Sequence, residues 1–204
     1  SPCIDVVRYL RWGRVEESYG EDPYLCGLFG IEEVSGYLEN GISPMLKHYG
    51  PHGNPLSGLN LASVECGLRD LHEIYLKPFE MVVKNTGILA VMSTYNSWNH
   101  IPNSASHYLL TDILRDEWGF KGYVMSDWGA VNDRVKGLAA GLDLEMPSSG
   151  GLNDEKIVEA VKNGTLDEKV LDTAVKRILE QVYRYRDVKG GEHIFDRSAD
   201  HKKV

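Results

Sequence analysis

The first group in this sequence that could do chemistry is Asp127. It stands where a short apolar run ends and a glycine-punctuated turn begins. The run Tyr123-Val124-Met125, with Gly122 before it and Gly129 after, has the composition of a strand buried on both faces of a parallel sheet. Ser126, Asp127 and Trp128 follow it directly, ahead of a helix-like segment over 131–140. A carboxylate in that place sits at the carboxyl-terminal mouth of an α/β sheet, where the active sites of such folds are built. Asp is also common as a cap of a helix or turn, and position alone weighs the two readings equally. The neighbouring Trp128 favours function, because an indole beside a carboxylate makes a platform for a sugar ring.

Other reactive groups recur at comparable places. The loop Arg11-Trp12-Gly13-Arg14-Val15-Glu16-Glu17-Ser18-Tyr19-Gly20-Glu21-Asp22-Pro23 is dense in Arg, acids and aromatics. It suits either hydroxyl recognition or an ion-pair-laced surface. Lys47 and His48 follow a strand-like stretch, where they read as a metal ligand with its neighbour or as a satisfied surface pair. Tyr95 follows the apolar run 89–93, and a lone Tyr at a strand end ordinarily packs.

The elements that must position these groups alternate regularly. Strand signals lie at 3–7, 42–46, 88–93, 123–125 and 142–146. Helical segments stand between them. One runs over 23–38, started by Pro23 and closed by Asn40-Gly41. A second carries Leu71, Tyr75, Phe79 and Val82 at helical spacing, with Pro78 expected to kink or restart it. A third, 104–118, puts Leu109, Leu110, Ile113 and Leu114 on one face and stops at Gly119. Two helices close the chain. The second opens on a capping box, Thr165-x-x-Glu168, and carries Val170, Leu171, Ala174, Val175, Ile178, Leu179 and Val182. This alternation predicts a parallel α/β sheet with right-handed crossovers. Five strands are fewer than the eight of a closed barrel, so the sheet is expected to be open, with residues 3–7 at an uncovered edge.

Taken in order, these blocks resemble glycoside hydrolase family 3, the β-glucosidase and β-xylosidase family, over almost the whole chain. Ser126-Asp127-Trp128 looks like the family's nucleophile motif. Arg11-Trp12-Gly13-Arg14 with Glu17-Ser18-Tyr19-Gly20-Glu21-Asp22-Pro23 is similar to its arginine signature, and Lys47-His48-Tyr49 to its Lys-His-Phe/Tyr motif. Met92-Ser93-Thr94-Tyr95-Asn96 resembles its Met-Ser-x-Tyr-Asn block. The resemblance implies that Asp127 attacks the anomeric carbon of a terminal β-glucoside in a covalent glycosyl-enzyme mechanism. Arg14, Lys47 and His48 would then hold the sugar, with the Tyr95 hydroxyl beside the nucleophile and Trp128 as platform. Arg11 and the loop acids would brace the loop. It also implies that residues 1–187 form the later part of an incomplete TIM barrel. Residues 188–204 would lead toward a missing second α/β domain, whose glutamate is the acid/base.

Two departures stand out. The loop 50–58 lacks the Asp-Ser-His of the N-acetylglucosaminidase branch, and His52 stands there without an aspartate partner. His100 occupies a place where the family often has glycine. Asp143 and Glu145 are read as structural, and a β-xyloside as the near alternative substrate.

Bulk properties narrow the classes. With 204 residues, 42% of them hydrophobic, the chain can bury one sizeable core. A formal charge of −8 argues against nucleic acid. No run approaches the roughly 18 apolar residues of a membrane span. Cys3, Cys26 and Cys66 are widely spaced, lack metal-ligand spacing and read as free thiols. No cofactor is called for. A metal-dependent hydrolase using Lys47, His48, His52 and Asp127 would want a tight motif such as H-x-H, which is absent. A non-catalytic carbohydrate-binding domain would not need an intact Asp127. The chain opens on Ser1, which reads as a segment of something longer and carries no information on export.

Overall fold

The computed structural model describes residues 1–53, 62–188, 198 and 201–202. Its strands are β1 (Leu46–Tyr49), β2 (Ser63–Val64), β3 (Ala90–Ser93), β4 (Ser97–Trp98), β5 (Ile101–Pro102) and β6 (Tyr123–Met125). Its α-helices are α1 (Pro23–Glu39), α2 (Leu68–Asp70), α3 (Lys77–Asn85), α4 (Arg134–Ala140), α5 (Leu152–Lys162) and α6 (Glu168–Tyr185). β1, β3 and β6 form a parallel sheet in that order. Parallel bridges widen it on both sides, Cys3 beside Lys47 and Leu144 beside Met125. Five chain segments thus lie side by side in sequence order, with helix in every crossover. This is an arc of a (β/α)8 barrel, and among the described residues the sheet does not close.

Tyr123–Met125 is the strand its apolar run predicts. Its approach to β3 is closed by Gly122, where a Cβ would lie 2.1 Å from the Leu89 carbonyl oxygen. The second strand is displaced from its expected place. Ile42 N donates to Tyr37 O as part of the turn that ends α1, and pairing starts only at Leu46, beyond Pro44. Lys47 and His48 therefore lie inside the strand rather than after it. The outer segments are also shorter than expected, since only Cys3 and Leu144 pair. The 3–7 edge is not uncovered. Residues 14–22 fold back on it, so that Val7 N donates to Gly20 O (2.9 Å) and the Ser18 hydroxyl donates to Asp5 O. That takes up backbone groups an open edge would present to another chain.

The helices follow their sequence signals with local exceptions. Asp22 caps α1 by accepting from Tyr24 N and Leu25 N, with Pro23 in the first turn where its missing N–H costs nothing. The helix from Leu68 passes into a π-helical turn, Leu71–Tyr75, and restarts at Lys77 with Pro78 in the new first turn. Tyr108–Glu117 is π-helical and buries Leu109, Leu110, Ile113 and Leu114 before Gly119, at φ 76°, ends it. The expected Thr165 capping box is not formed. The Thr165 hydroxyl is held by Ala160 O and Asn163 Oδ1 at the end of α5, and Asp167 caps α6 by accepting from Lys169 N. Residues 97–102 form the β4–β5 hairpin. Asn99 (φ 46°) and His100 (φ 68°) make its two-residue turn, the left-handed pair that a primed turn requires.

The main core lies between the sheet and its helices: Ile4, Val34, Leu46, Phe79, Val82, Val91, Leu110, Ile113, Val124 and Leu142. A smaller cluster joins α4, α5 and α6 through Leu138, Ile157, Ala160, Leu166 and Ala174. Of the apolar stripe on α6 only Ala174 is buried, while Val175, Leu179 and Val182 are exposed. All three cysteines are free thiols. Among the described residues no helix is long and apolar enough to cross a membrane.

Candidate active site

The segment after β6 is knitted to both neighbours. Ser126 N donates to Leu144 O (2.9 Å), and its hydroxyl donates to Met146 O and accepts from Met146 N. Asp127 N donates to Ser93 O at the end of β3 (3.2 Å). These bonds fix the Asp127 backbone at the carboxyl ends of three adjacent segments. Its carboxylate is buried. Oδ1 accepts from Trp128 N (2.7 Å), whereas Oδ2 has no hydrogen-bond partner within the geometric limits among the described residues. The indole of Trp128 is 61% exposed, at the rim.

His48 brings β1 to the same place. Its Nε2 lies 3.4 Å from Asp127 Oδ2, and its Nδ1 lies 2.8 Å from Asp5 Oδ2. The peptide joining it to Lys47 is cis. Asp5, which stands inside an apolar run, was not singled out by sequence reasoning. An acid in such a run must find buried partners, and that is the signal that could have exposed it. Burial alone would raise the Asp5 carboxyl. The His48 and His52 imidazoles, with hydrogen bonds from His48 and the Cys3 thiol, outweigh this and hold it well below the usual carboxylate range.

His52 stacks on His48 with ring centroids 4.5 Å apart and meets the edge of Trp12. Its Nδ1 bonds the Thr94 hydroxyl. Burial, reinforced by His48 and Arg14, lowers it to about 4, so the ring is neutral near neutral pH. Among the described residues, buried polar atoms without a partner gather here: Trp12 Nε1, His52 Nε2, Ser93 Oγ and Asp127 Oδ2. Unmet polar atoms around one carboxylate suit a ligand rich in hydroxyls.

Tyr95 and Trp128 meet directly, the Tyr95 hydroxyl donating to Trp128 O (2.7 Å). Burial and then the Asp127 charge raise the phenol, which also feels Arg14. Arg14 grips Glu17 through Nε and Nη2, both at 2.7 Å, and Lys47 Nζ stands 3.5 Å from Glu17 Oε2. Arg14 first, then Lys47, holds the Glu17 carboxyl down to about 2. Glu17 therefore braces Arg14 and Lys47 together, while Arg11 is exposed. Among the sequence candidates, His48, Asp127, Tyr95 and Trp128 form one chain of contacts, with Arg14 and Lys47 joined beside it through Glu17. The acids after β6 lie apart from this chain. Asp143 is bound by Arg115 and Arg177, and Glu145 accepts from Asn153 Nδ2 (2.7 Å). The loop residues 54–58 lie outside the described residues.

A parallel α/β arc thus gathers cations, imidazoles and a buried carboxylate at its strand ends. Residues 1–181 match the Glycosyl hydrolase family 3 N terminal domain. The chain belongs to glycosyl hydrolase family 3. It is 41% identical over 201 residues to thermostable beta-glucosidase B of Acetivibrio thermocellus, covering 98% of this chain and 26% of that protein. An exo-alpha-(1->6)-L-arabinopyranosidase of Bifidobacterium breve is 40% identical over 91% of this chain and 24% of its own length. A crystal structure of the Bifidobacterium adolescentis GH3 beta-glucosidase superimposes with a TM-score of 0.91 at 36% identity, covering 99% of this chain and 30% of that one. The chain thus spans about a quarter of the length of the curated relatives it matches.

Proposed function

We propose that these residues belong to a retaining β-glycosidase that removes terminal non-reducing β-D-glucosyl units, with Asp127 as nucleophile. The observation that carries this reading is the Asp127 carboxylate: buried, anchored through Oδ1, and bare at Oδ2 beside His48. In the first step Oδ2 attacks the anomeric carbon. The bond to the leaving oxygen breaks, and a general acid protonates that oxygen. In the second, water attacks the same carbon, its proton passes to the conjugate base, and the ester bond to Asp127 breaks. Arg14 and Lys47 supply donors to sugar hydroxyls, His48 offers Nε2 to one of them, Tyr95 stands beside the nucleophile, and Trp128 offers its face to the ring.

The general acid is expected from elsewhere in a longer polypeptide, beyond a domain ending near residue 187. A proton donor needs a raised pKa. Asp5 and Glu17, the other acids of the cluster, are both held ionised instead. The test is covalent trapping. A 2-fluoro-β-glucoside with an activated leaving group slows the second step more than the first, so a glycosyl-enzyme should accumulate on the full-length protein. Mass spectrometry after digestion should find it on the peptide carrying Asp127. A label on Glu145, or no label despite turnover, would move the nucleophile elsewhere.

A pentopyranoside reading has its own support in the arabinopyranosidase relative. Rates on aryl β-glucoside, β-xyloside and α-L-arabinopyranoside would rank the sugars, with the glucoside expected to be fastest.

A further inference from the structure

We propose that Asp5 is a positioning residue for the reaction: it holds the His48 ring so that Nε2 is aimed at Asp127 Oδ2. The inference rests on Asp127 being the nucleophile.

The argument starts from what the position of Asp5 costs. It is 3% exposed, within Cys3-Ile4-Asp5-Val6-Val7, and every neighbour in that run is buried. An ionised carboxylate there is expensive unless donors surround it. Asp5 is well supplied. Oδ1 accepts from His48 N (3.2 Å), and Oδ2 faces His48 Nδ1 (2.8 Å) and accepts from the Cys3 thiol (3.0 Å). One carboxylate thus holds both the backbone and the ring of the same histidine. A permanently ionised acceptor at Nδ1 assigns the proton to that nitrogen and sets the ring plane. The other nitrogen is then delivered to the bare oxygen of Asp127, 3.4 Å away. A carboxylate–imidazole–carboxylate chain therefore runs from the first sheet segment, through β1, to the turn after β6.

A metal reading of the same atoms is weaker. Cys3, Asp5 and His48 bring ligand-type atoms within 4.8 Å of one another. A metal needs the thiolate, and burial followed by the Asp5 charge pushes the Cys3 thiol well above its ordinary value. Each of the three is also already committed to another of the set.

The groups facing His48 are Asp5, Asp127 and His52, with Lys47 next in the chain. Of these, only Asp5 is changed by Asp5→Asn, which keeps the shape and removes the charge. The full-length protein is compared with Asp5→Asn, His48→Asn and the double variant on an aryl β-glucoside. For Asp5→Asn, kcat should fall roughly 10- to 100-fold, the scale on which carboxylates that orient metal-bound histidines act. The loss should fall on kcat more than on KM, because the Asp127 oxygen that His48 faces reacts only after the sugar is bound. A residue that acts only through His48 adds nothing once His48 is gone, so the double variant should be no slower than His48→Asn alone.

Wild-type kcat in Asp5→Asn, or a loss confined to KM, would overturn the inference, as would losses that multiply in the double variant. If Asp5→Asn does not fold, the wild-type protein labelled with 15N-histidine decides. A proton on His48 Nδ1 across about pH 5 to 8 supports the inference, and a bare Nδ1 overturns it. Trapping separates this inference from the reading beneath it. A labelled Asp127 with a fully active Asp5→Asn sinks only the role of Asp5, whereas an unlabelled Asp127 sinks both.

Discussion

Asp127 and Asp143 are both buried and lie on neighbouring segments of one sheet, yet they are built to opposite ends. Asp143 Oδ2 accepts from Arg115 Nη2 (2.6 Å) and Val124 N (2.8 Å), and Oδ1 accepts from Arg177 Nη1 (3.0 Å). Its backbone carbonyl accepts from Arg134 Nη2 (2.9 Å). One side chain and its peptide thereby tie the Tyr108–Glu117 helix, β6, α4 and α6 together. Asp127 spends Oδ1 on its own loop and leaves Oδ2 bare. Residue type and depth are the same in both. A carboxylate with both oxygens under guanidinium or amide donors is a strut, and one with an unclaimed oxygen can still form a bond.

Exchanging each acid for its amide should break the pair in opposite directions. Asp127→Asn keeps the acceptor for Trp128 N, so the melting point should barely move. Its kcat should drop by several powers of ten, on the order of 5 kcal/mol or more of barrier. Steady-state rates on an aryl β-glucoside and a thermal melt measure both. Asp143→Asn takes the carboxylate from the buried Arg115 guanidinium and should cost about 3–5 kcal/mol of stability by denaturant unfolding. Turnover of the molecules that remain folded should survive. If Asp143→Asn were inactive at full stability, the contrast would be gone.

The third expectation concerns His52, which belongs to the under-bonded surroundings of Asp127. Folded, it titrates at about 4. Unfolded, it takes a proton near its ordinary pKa of about 6.5. Its contribution to stability is therefore complete above about pH 6.5 and is lost as pH falls toward 4, by up to about 3 kcal/mol. In His52→Gln this part of the acid sensitivity should vanish. Denaturant titrations at about pH 7 and pH 4.5 report it, and equal pH dependence in both proteins would rule His52 out as its source.

The local code was readable where one physical signal dominated. Tyr123–Met125 was plain because an apolar run between glycines has few other uses. The Tyr108–Glu117 helix was plain because Leu109, Leu110, Ile113 and Leu114 recur on one face. Reading was harder where two signals competed. Pro44 and the turn after α1 pushed pairing from Ile42 to Leu46, which moved Lys47 and His48 into the strand. Thr165 could serve either helix and went to the earlier one. Asp5 was hidden because its histidine partner lies 43 residues away in β1. Bonds of that range are written in tertiary geometry, and an acid inside an apolar run is their only trace in the sequence. The stripe on α6 has the period of a buried face, but period says nothing about what arrives to cover it.

Gly122 bears on how a mutational survey of this protein would look. Every other residue at that position would drive its first side-chain carbon into the Leu89 carbonyl, prising β6 away from β3. The displaced strand is the one that carries Asp127. A saturation scan scored by sugar release should therefore rank position 122 with Asp127, although a glycine has no group to offer a substrate. Scoring the same library for folded protein would part the two, since Asp127→Asn should still accumulate and substitutions of Gly122 should not.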